Sequence, residues 1–216
     1  MPSSDRRARE RQQVRESILS AARRLFAQHG FEAVTLRKIA AAIDYAPGAI
    51  YLHFQDKEEL IRTLCLADFD EVTRAVAPMA RITDPIERIR RMGRAYVAFA
   101  LKHPHSYRLL FLQRSPYEHD ERALERRGDP RRDGHAFLKL AAQEAIDQGR
   151  MRREFRDAEL VTETFWAAVH GVASLEINFS GNSWVQWRPM RKRTEAMIDA
   201  VLAGMCVETT KRRGAR

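Results

Sequence analysis

Cysteine is nearly missing from this 216-residue chain, which has only Cys65 and Cys206. Two thiols so far apart cannot make a disulfide framework, and their separation offers none of the paired spacings of a structural zinc site, so both are expected to be ordinary reduced thiols. No run approaches the length of apolar residues that crosses a bilayer, and the opening MPSSDRRARERQQVRE lacks the apolar core of a signal peptide. The expectation is a cytoplasmic chain with no membrane partner. Phosphate-cradling glycine loops and nucleophile elbows are also missing. His103, His105, His119 and His135 fall mostly in loops, without the i, i+4 pairing of a helical metal motif. Neither an enzyme nor a cofactor or metal is expected.

Lysine is scarce as well, with six against 32 arginines, and the formal net charge is +9. That balance suits a polyanionic partner but does not by itself choose nucleic acid over an anionic membrane. No hairpin or alternating strand pattern competes with helical periodicity, and no internal repeat is evident, so the expected fold class is all-α. Breaks at Pro78, Asp84-Pro85, His103-Pro104, Pro116, Gly128-Asp129-Pro130, Gly149 and Gly181 divide the chain. They predict helices near 9–29, 36–43, 47–53, 57–77, 84–102, 105–113, 131–148, 157–179 and 189–207. A hydrophobic content of 44% is enough for a buried core and suits either one modest domain or a small module joined to a larger one; the second is expected, with the module at 12–72 and a larger helical domain at 73–216.

The richest segment is 35–54, TLRKIAAAIDYAPGAIYLHF. Leu36, Ile39, Ala40 and Ile43 share one helical face, and Thr35 is placed to cap the start. Asp44 can take the left-handed conformation that a corner needs. Pro47 opens a second helix, in which Ile50 and Phe54 turn inward while Tyr51 and His53 face out. This is the layout of a helix-turn-helix, whose second helix enters a DNA major groove. Helix-corner-helix units also occur in helical proteins that never meet DNA. Ahead of it, Arg6, Arg7, Arg9, Arg11 and Arg15 crowd an arm expected to be disordered at first and helical later. Such an arm suits phosphate or minor-groove contact, or serves as a solubilising tail.

Ala21, Ala22, Leu25, Phe26, Gly30, Phe31, Thr35, Ile39, Ala40, Gly48, Tyr51, Phe54, Lys57 and Leu60 together make the first quarter of the chain resemble the TetR family of transcriptional regulators. Two positions depart from the family pattern: Asp44 stands where glycine is usual, and Ala46 where a serine or threonine usually caps the recognition helix. The resemblance implies phosphate contacts from Tyr51, His53 and Lys57. Thr35, Arg37, Lys38, Tyr45, Pro47, Gly48 and Ala49 face or flank the groove. Arg37 could read a guanine or hold a phosphate.

In the larger part, FWAAVHGVASLE at 165–176 and KHPHSYRLLF at 102–111 resemble the WHG-type C-terminal domain of some TetR-like regulators. That likeness implies a homodimer through the last two long helices and a small-molecule effector site between the middle ones. Met92, Tyr96, Phe99, Tyr107, Phe111, Phe137, Phe165, Trp166 and His170 are the candidates for lining it, and the same residues at helical spacing equally suit a filled core. The expected function is a ligand-responsive regulator, a repressor, on a near-palindromic double-stranded DNA operator. Its alternative is a structural nucleoid-binding or partner-binding protein that uses the same module without an inducer. Within 115–133 the charged residues, Glu118, Asp120, Glu121 and Arg122 among them, leave little to bury, and this stretch is expected to be the least ordered.

Overall fold

The computed structural model describes residues 2–112 and 124–207. Helices α1 (Pro2–Ala33), α2 (Leu36–Ala41), α3 (Pro47–Tyr51), α4 (Lys57–Val76), α5 (Pro85–Lys102), α6 (Pro104–Tyr107), α7 (Gly134–Asp147), α8 (Ala158–Phe179) and α9 (Met190–Met205) carry the all-α fold. The described residues contain no strand beyond an isolated bridge between Met151 and Cys206. No described helix is long and apolar enough to cross a membrane.

The arm departs from its expectation, because α1 is helical from Pro2 rather than irregular before about residue 9. Side-chain pairs one turn apart, Arg6 with Glu10 at 3.5 Å and Gln12 with Glu16 at 2.9 Å, supply local support that a count of apolar residues overlooks. At the other end Gly30 takes φ 77 and ψ 166, a conformation essentially restricted to glycine, and the helix breaks there. Capping sets several later starts. Asp84 Oδ1 accepts from the Ile86 and Glu87 amides, Asp133 from those of His135 and Ala136, and Asp157 from those of Glu159 and Leu160. The helix expected at 105–113 consists of α6 followed by a wider-wound π turn over Arg108–Leu112. Residues 124–133 form turns, in which Asp133 accepts from the Gly128 amide at 2.9 Å. Glu118, Asp120, Glu121, Arg122 and His119 lie outside the described residues.

The chain divides into two compact units: one takes in the described residues within Met1–Glu71 and His103–Glu125, the other those within Val72–Lys102 and Arg126–Arg216. In the first, Ile18, Ala22, Phe26, Ile39, Ile50, Phe54, Leu60 and Leu64 are buried, and α1 packs against α2 and α6. Asp68 is fully buried there and accepts both Nε and Nη2 of Arg23. In the second, α5, α7, α8 and α9 pack around a core that includes Ile89, Met92, Phe137, Phe165, Val169, Ile198 and Leu202.

Candidate nucleic-acid interface

Local chemistry builds the helix-turn-helix step by step. Thr35 caps α2 by accepting the Lys38 amide on its Oγ1 at 3.3 Å. The chain then reverses through Asp44, whose φ of 57 makes it the one described non-glycine residue in the left-handed region. A short polar side chain tolerates that conformation at modest cost, so the corner closes without glycine. At α3 the N-cap is Ala46, which supplies no side-chain acceptor, and Pro47 occupies the first turn. Ile50 and Phe54 are buried beneath, fixing which side of α3 faces out.

The outward side is a ridge. Pro47, Gly48, Tyr51 and Leu52 are exposed, Tyr51 to 58%, while Ala49 and His53 are half-buried. Tyr45 at the corner and Thr35, Arg37 and Lys38 on α2 are also exposed. Two of the expected cations are already engaged: Lys38 Nζ donates to the Ala33 carbonyl at 2.7 Å, and Lys57 Nζ to that of Phe31 at 2.9 Å. An ammonium has three donors, so either lysine can hold a carbonyl and still offer hydrogens outward.

Two further arginines join the site from α1. Arg11 Nη2 donates to the Leu52 carbonyl at 3.1 Å, and Arg15 Nη1 to the His53 carbonyl at 2.9 Å. The Arg15 guanidinium also lies 4.2 Å over the Phe54 ring. Burial, then the positive charges of Arg11 and Arg15, hold the His53 imidazole below its ordinary pKa. Neutral His53 can offer a phosphate a hydrogen bond but no charge.

The effector candidates divide between the units. Tyr107 and Phe111 belong to the first, with rings 5.3 Å apart. Met92, Tyr96, Phe99, Phe137, Phe165, Trp166 and His170 belong to the second. Of these, Met92, Phe137 and Phe165 sit in the buried core, with Tyr96 packed against it, and Phe99 is buried as well. The fit around Phe165 is tight enough that a Cβ added to Gly93 would meet its ring at 2.7 Å. Tyr96 Oη lies 3.1 Å from His170 Nδ1, and the Trp166 ring lies edge-on to His170 with 6.3 Å between centroids. Burial pushes the His170 pKa down. No group of three or more metal-ligating side chains occurs among the described residues.

The model of the bacterial regulatory proteins, tetR family, matches residues 18–64, and that of the tetracyclin repressor-like C-terminal domain matches residues 89–203. The chain belongs to the TetR family. Among curated TetR-family relatives, it is 41% identical over 63 residues to the transcriptional repressor AcnR of Corynebacterium diphtheriae, covering 29% of this chain and 33% of AcnR. It is 36% identical over 80 residues to the regulator UidR of Escherichia coli, covering 37% of this chain and 38% of UidR. The matched stretch thus spans about a third of each relative's length. A TetR-family regulator from Marinobacter aquaeolei superposes with TM-score 0.69 at 20% identity, over 93% of this chain and 98% of that one. The ketosteroid transcriptional regulator KstR2 of Mycobacterium tuberculosis superposes with TM-score 0.63 at 21% identity, over 90% and 95%. These two show a shared fold.

The TetR family is one of bacterial regulatory proteins, and the helix-turn-helix lies inside the first matched segment. Arg11 and Arg15 lie ahead of that segment. Sequence reading placed both on an arm and missed their carbonyl partners, which are 41 and 38 residues away. Their spacing of four, one turn of α1, is the only signal that they act as a pair.

Proposed function

We propose that this regulator is a homodimer that binds a near-palindromic operator, acts as a repressor and is released by a small-molecule effector. The observation that carries the reading is the exposed ridge from Pro47 to His53, set by a capped α2 and a left-handed corner in a TetR-family domain. Two such ridges related by a twofold axis would enter successive major grooves, with half-sites about one helical turn apart. Tyr51, His53 and Lys57 hold phosphates in this reading. Thr35, Arg37, Lys38, Tyr45, Pro47, Gly48 and Ala49 face or flank the base edges. The ridge is poor in side-chain donors, so contacts with thymine methyls through Pro47 and Ala49 and readout of groove shape matter more than hydrogen bonds.

The dimer is assigned to α8 and α9. Leu160, Leu175 and Phe179 of α8 are exposed apolar side chains, and Ala196, Ala200 and Ala203 of α9 are exposed and small, which suits close helix packing. An effector is assigned to the second unit near Tyr96, Trp166 and His170, where aromatic faces and two polar atoms come together. It acts by preferring the conformer whose ridges are wrongly spaced, and so weakens DNA binding through the same coupling. Repression accords with the description of AcnR as a repressor.

Selection of duplexes from a random pool tests the operator. The reading expects a few strong two-half-site sequences, and binding that is steeply salt-dependent without sequence preference would overturn it in favour of a nucleoid-type protein. With a selected duplex, Arg37→Ala is expected to weaken binding and to relax the base preference at one position in each half-site. Unchanged affinity and preference would remove Arg37 from the interface.

A further inference from the structure

We propose that Arg11 and Arg15 are positioning residues that clamp the exit of the recognition helix α3, binding the protein's own backbone rather than DNA phosphates. Their effect on DNA affinity rests on the DNA-binding reading above, whereas the clamp can be measured without DNA.

The need for a clamp follows from how little α3 has to hold itself together. It is five residues long, far below the roughly 12–15 at which an isolated helix becomes even marginal. Its N-cap, Ala46, offers no side-chain acceptor, so only Pro47 organises the entry. Beneath it, Ile50 and Phe54 set which face turns outward, but neither ties down the carbonyls at the exit. The last carbonyls of a helix and those just past it have no helical partner. Arg11 and Arg15, one turn apart on α1, reach two successive ones, at Leu52 and His53.

Each arginine adds something separate. A guanidinium near a helix C-terminus is favoured by the dipole and makes charge-assisted bonds. Arg15 also stacks over Phe54, whose ring is 1% exposed, so its guanidinium plane is tied to a core residue as well as to a carbonyl. The backbone just past Tyr51 is thereby held at two successive carbonyls. A guanidinium has five N–H donors, so one carbonyl bond does not by itself bar a phosphate; what Arg11 and Arg15 give up is the freedom to follow one, since each is tied to a carbonyl and Arg15 to a ring face as well. Arg6, Arg7 and Arg9, earlier on α1, are exposed and suit phosphate contact better.

Two measurements on the full-length chain test this. The first is amide hydrogen exchange of the DNA-free protein with Arg11→Ala and with Arg15→Ala. The Leu52, His53 and Phe54 amides bond the Ala49 and Ile50 carbonyls. They are expected to exchange several-fold faster in either variant, with α7 to α9 unchanged. Unchanged exchange at those three amides overturns the clamp. The second uses a duplex of about 30 base pairs selected from a random pool by the unmodified chain, long enough for two half-sites. Each variant is expected to bind it roughly tenfold more weakly at every salt concentration, with the slope of log affinity against log salt unchanged. A slope shallower by about 0.9 per arginine removed would make these residues phosphate contacts and overturn the proposal. Arg11 lies on the surface, so Arg11→Ala carries the test if Arg15→Ala disturbs the packing around Phe54. If the unmodified chain selects no duplex, the DNA-binding reading fails, and exchange alone decides the clamp.

Discussion

The cations beside the helix-turn-helix and those along α5 are used differently, although Arg23 in the first unit meets the Asp68 carboxylate and Arg88 in the second also donates to the Ile82 carbonyl. Around the helix-turn-helix, Arg11, Arg15, Lys38 and Lys57 all donate to main-chain carbonyls, those of Leu52, His53, Ala33 and Phe31. Around α5, arginines meet carboxylates on other helices: Arg94 with Glu195, Arg90 with Asp199 and Arg88 with Glu144. A carbonyl partner fixes where the backbone runs, while a carboxylate partner ties one helix to the next across a surface that packing has already decided. Short elements such as α2 and α3 need the first kind of help, and the long helices of the second unit, wrapped on an apolar core, need little of either.

The largest test of that contrast is Phe165→Ala. If the second unit stands on packing, truncating this buried ring costs about 3–5 kcal/mol, read as a fall in urea midpoint at unchanged slope. A loss below about 1 kcal/mol would mean that the ring lines a space able to collapse or already open, and would return Phe165 to the effector site. Gly93 strengthens the first expectation, because no side chain fits between it and Phe165 without displacement.

In the first unit, capping should dominate. Thr35→Ala removes the acceptor for the Lys38 amide and is expected to cost about 1 kcal/mol, since α2 has only six residues to offset the loss. The converse change is smaller and opposite in sign. Ala46 has the extended backbone of an N-cap, φ −64 and ψ 142, without a cap atom. Ala46→Ser is therefore expected to stabilise the chain by about 0.5–1 kcal/mol. If Thr35→Ala is neutral in thermal melts, or Ala46→Ser destabilises, tertiary contacts rather than caps set these two helix starts.

These positions also mark how far the sequence could be read. Thr35, Asp44 and Pro47 act through their own backbone or through residues three or four away, so their roles are visible in the order of the residues. The all-α class and most helix limits follow from the same local rules. The Arg11 and Arg15 contacts join residues about 40 apart, and no periodicity encodes which carbonyl a long side chain reaches. The grouping of Tyr107 and Phe111 with the first unit is likewise a tertiary fact. Aromatic spacing alone could not separate the core position of Phe165 from the half-buried pairing of Tyr96 with His170.

The smallest expected effect compares the units through their histidines. His53 and His105 in the first unit and His170 in the second all have pKa values below the ordinary one. Burial is the leading cause in each, joined by Arg11 and Arg15 at His53 and by Arg108, Arg24 and Arg23 at His105. A histidine that resists protonation when folded takes up its proton in the unfolded chain first, near the unperturbed value of about 6.5. Its stabilising share is complete above that pH and drains away as the pH falls below it. Carboxylates held low by partners, Asp84, Glu159 and Glu195, lose their share only on further acidification, while buried Asp68, whose pKa is raised, works in the opposite sense. Urea midpoints should therefore decline between about pH 8 and about pH 5.5. His170→Gln, which keeps a partner for the Tyr96 hydroxyl, should flatten part of that decline, and His105→Gln another part. A midpoint that rises on acidification would show that these imidazoles are held charged in the fold, and would remove burial as the force acting on them.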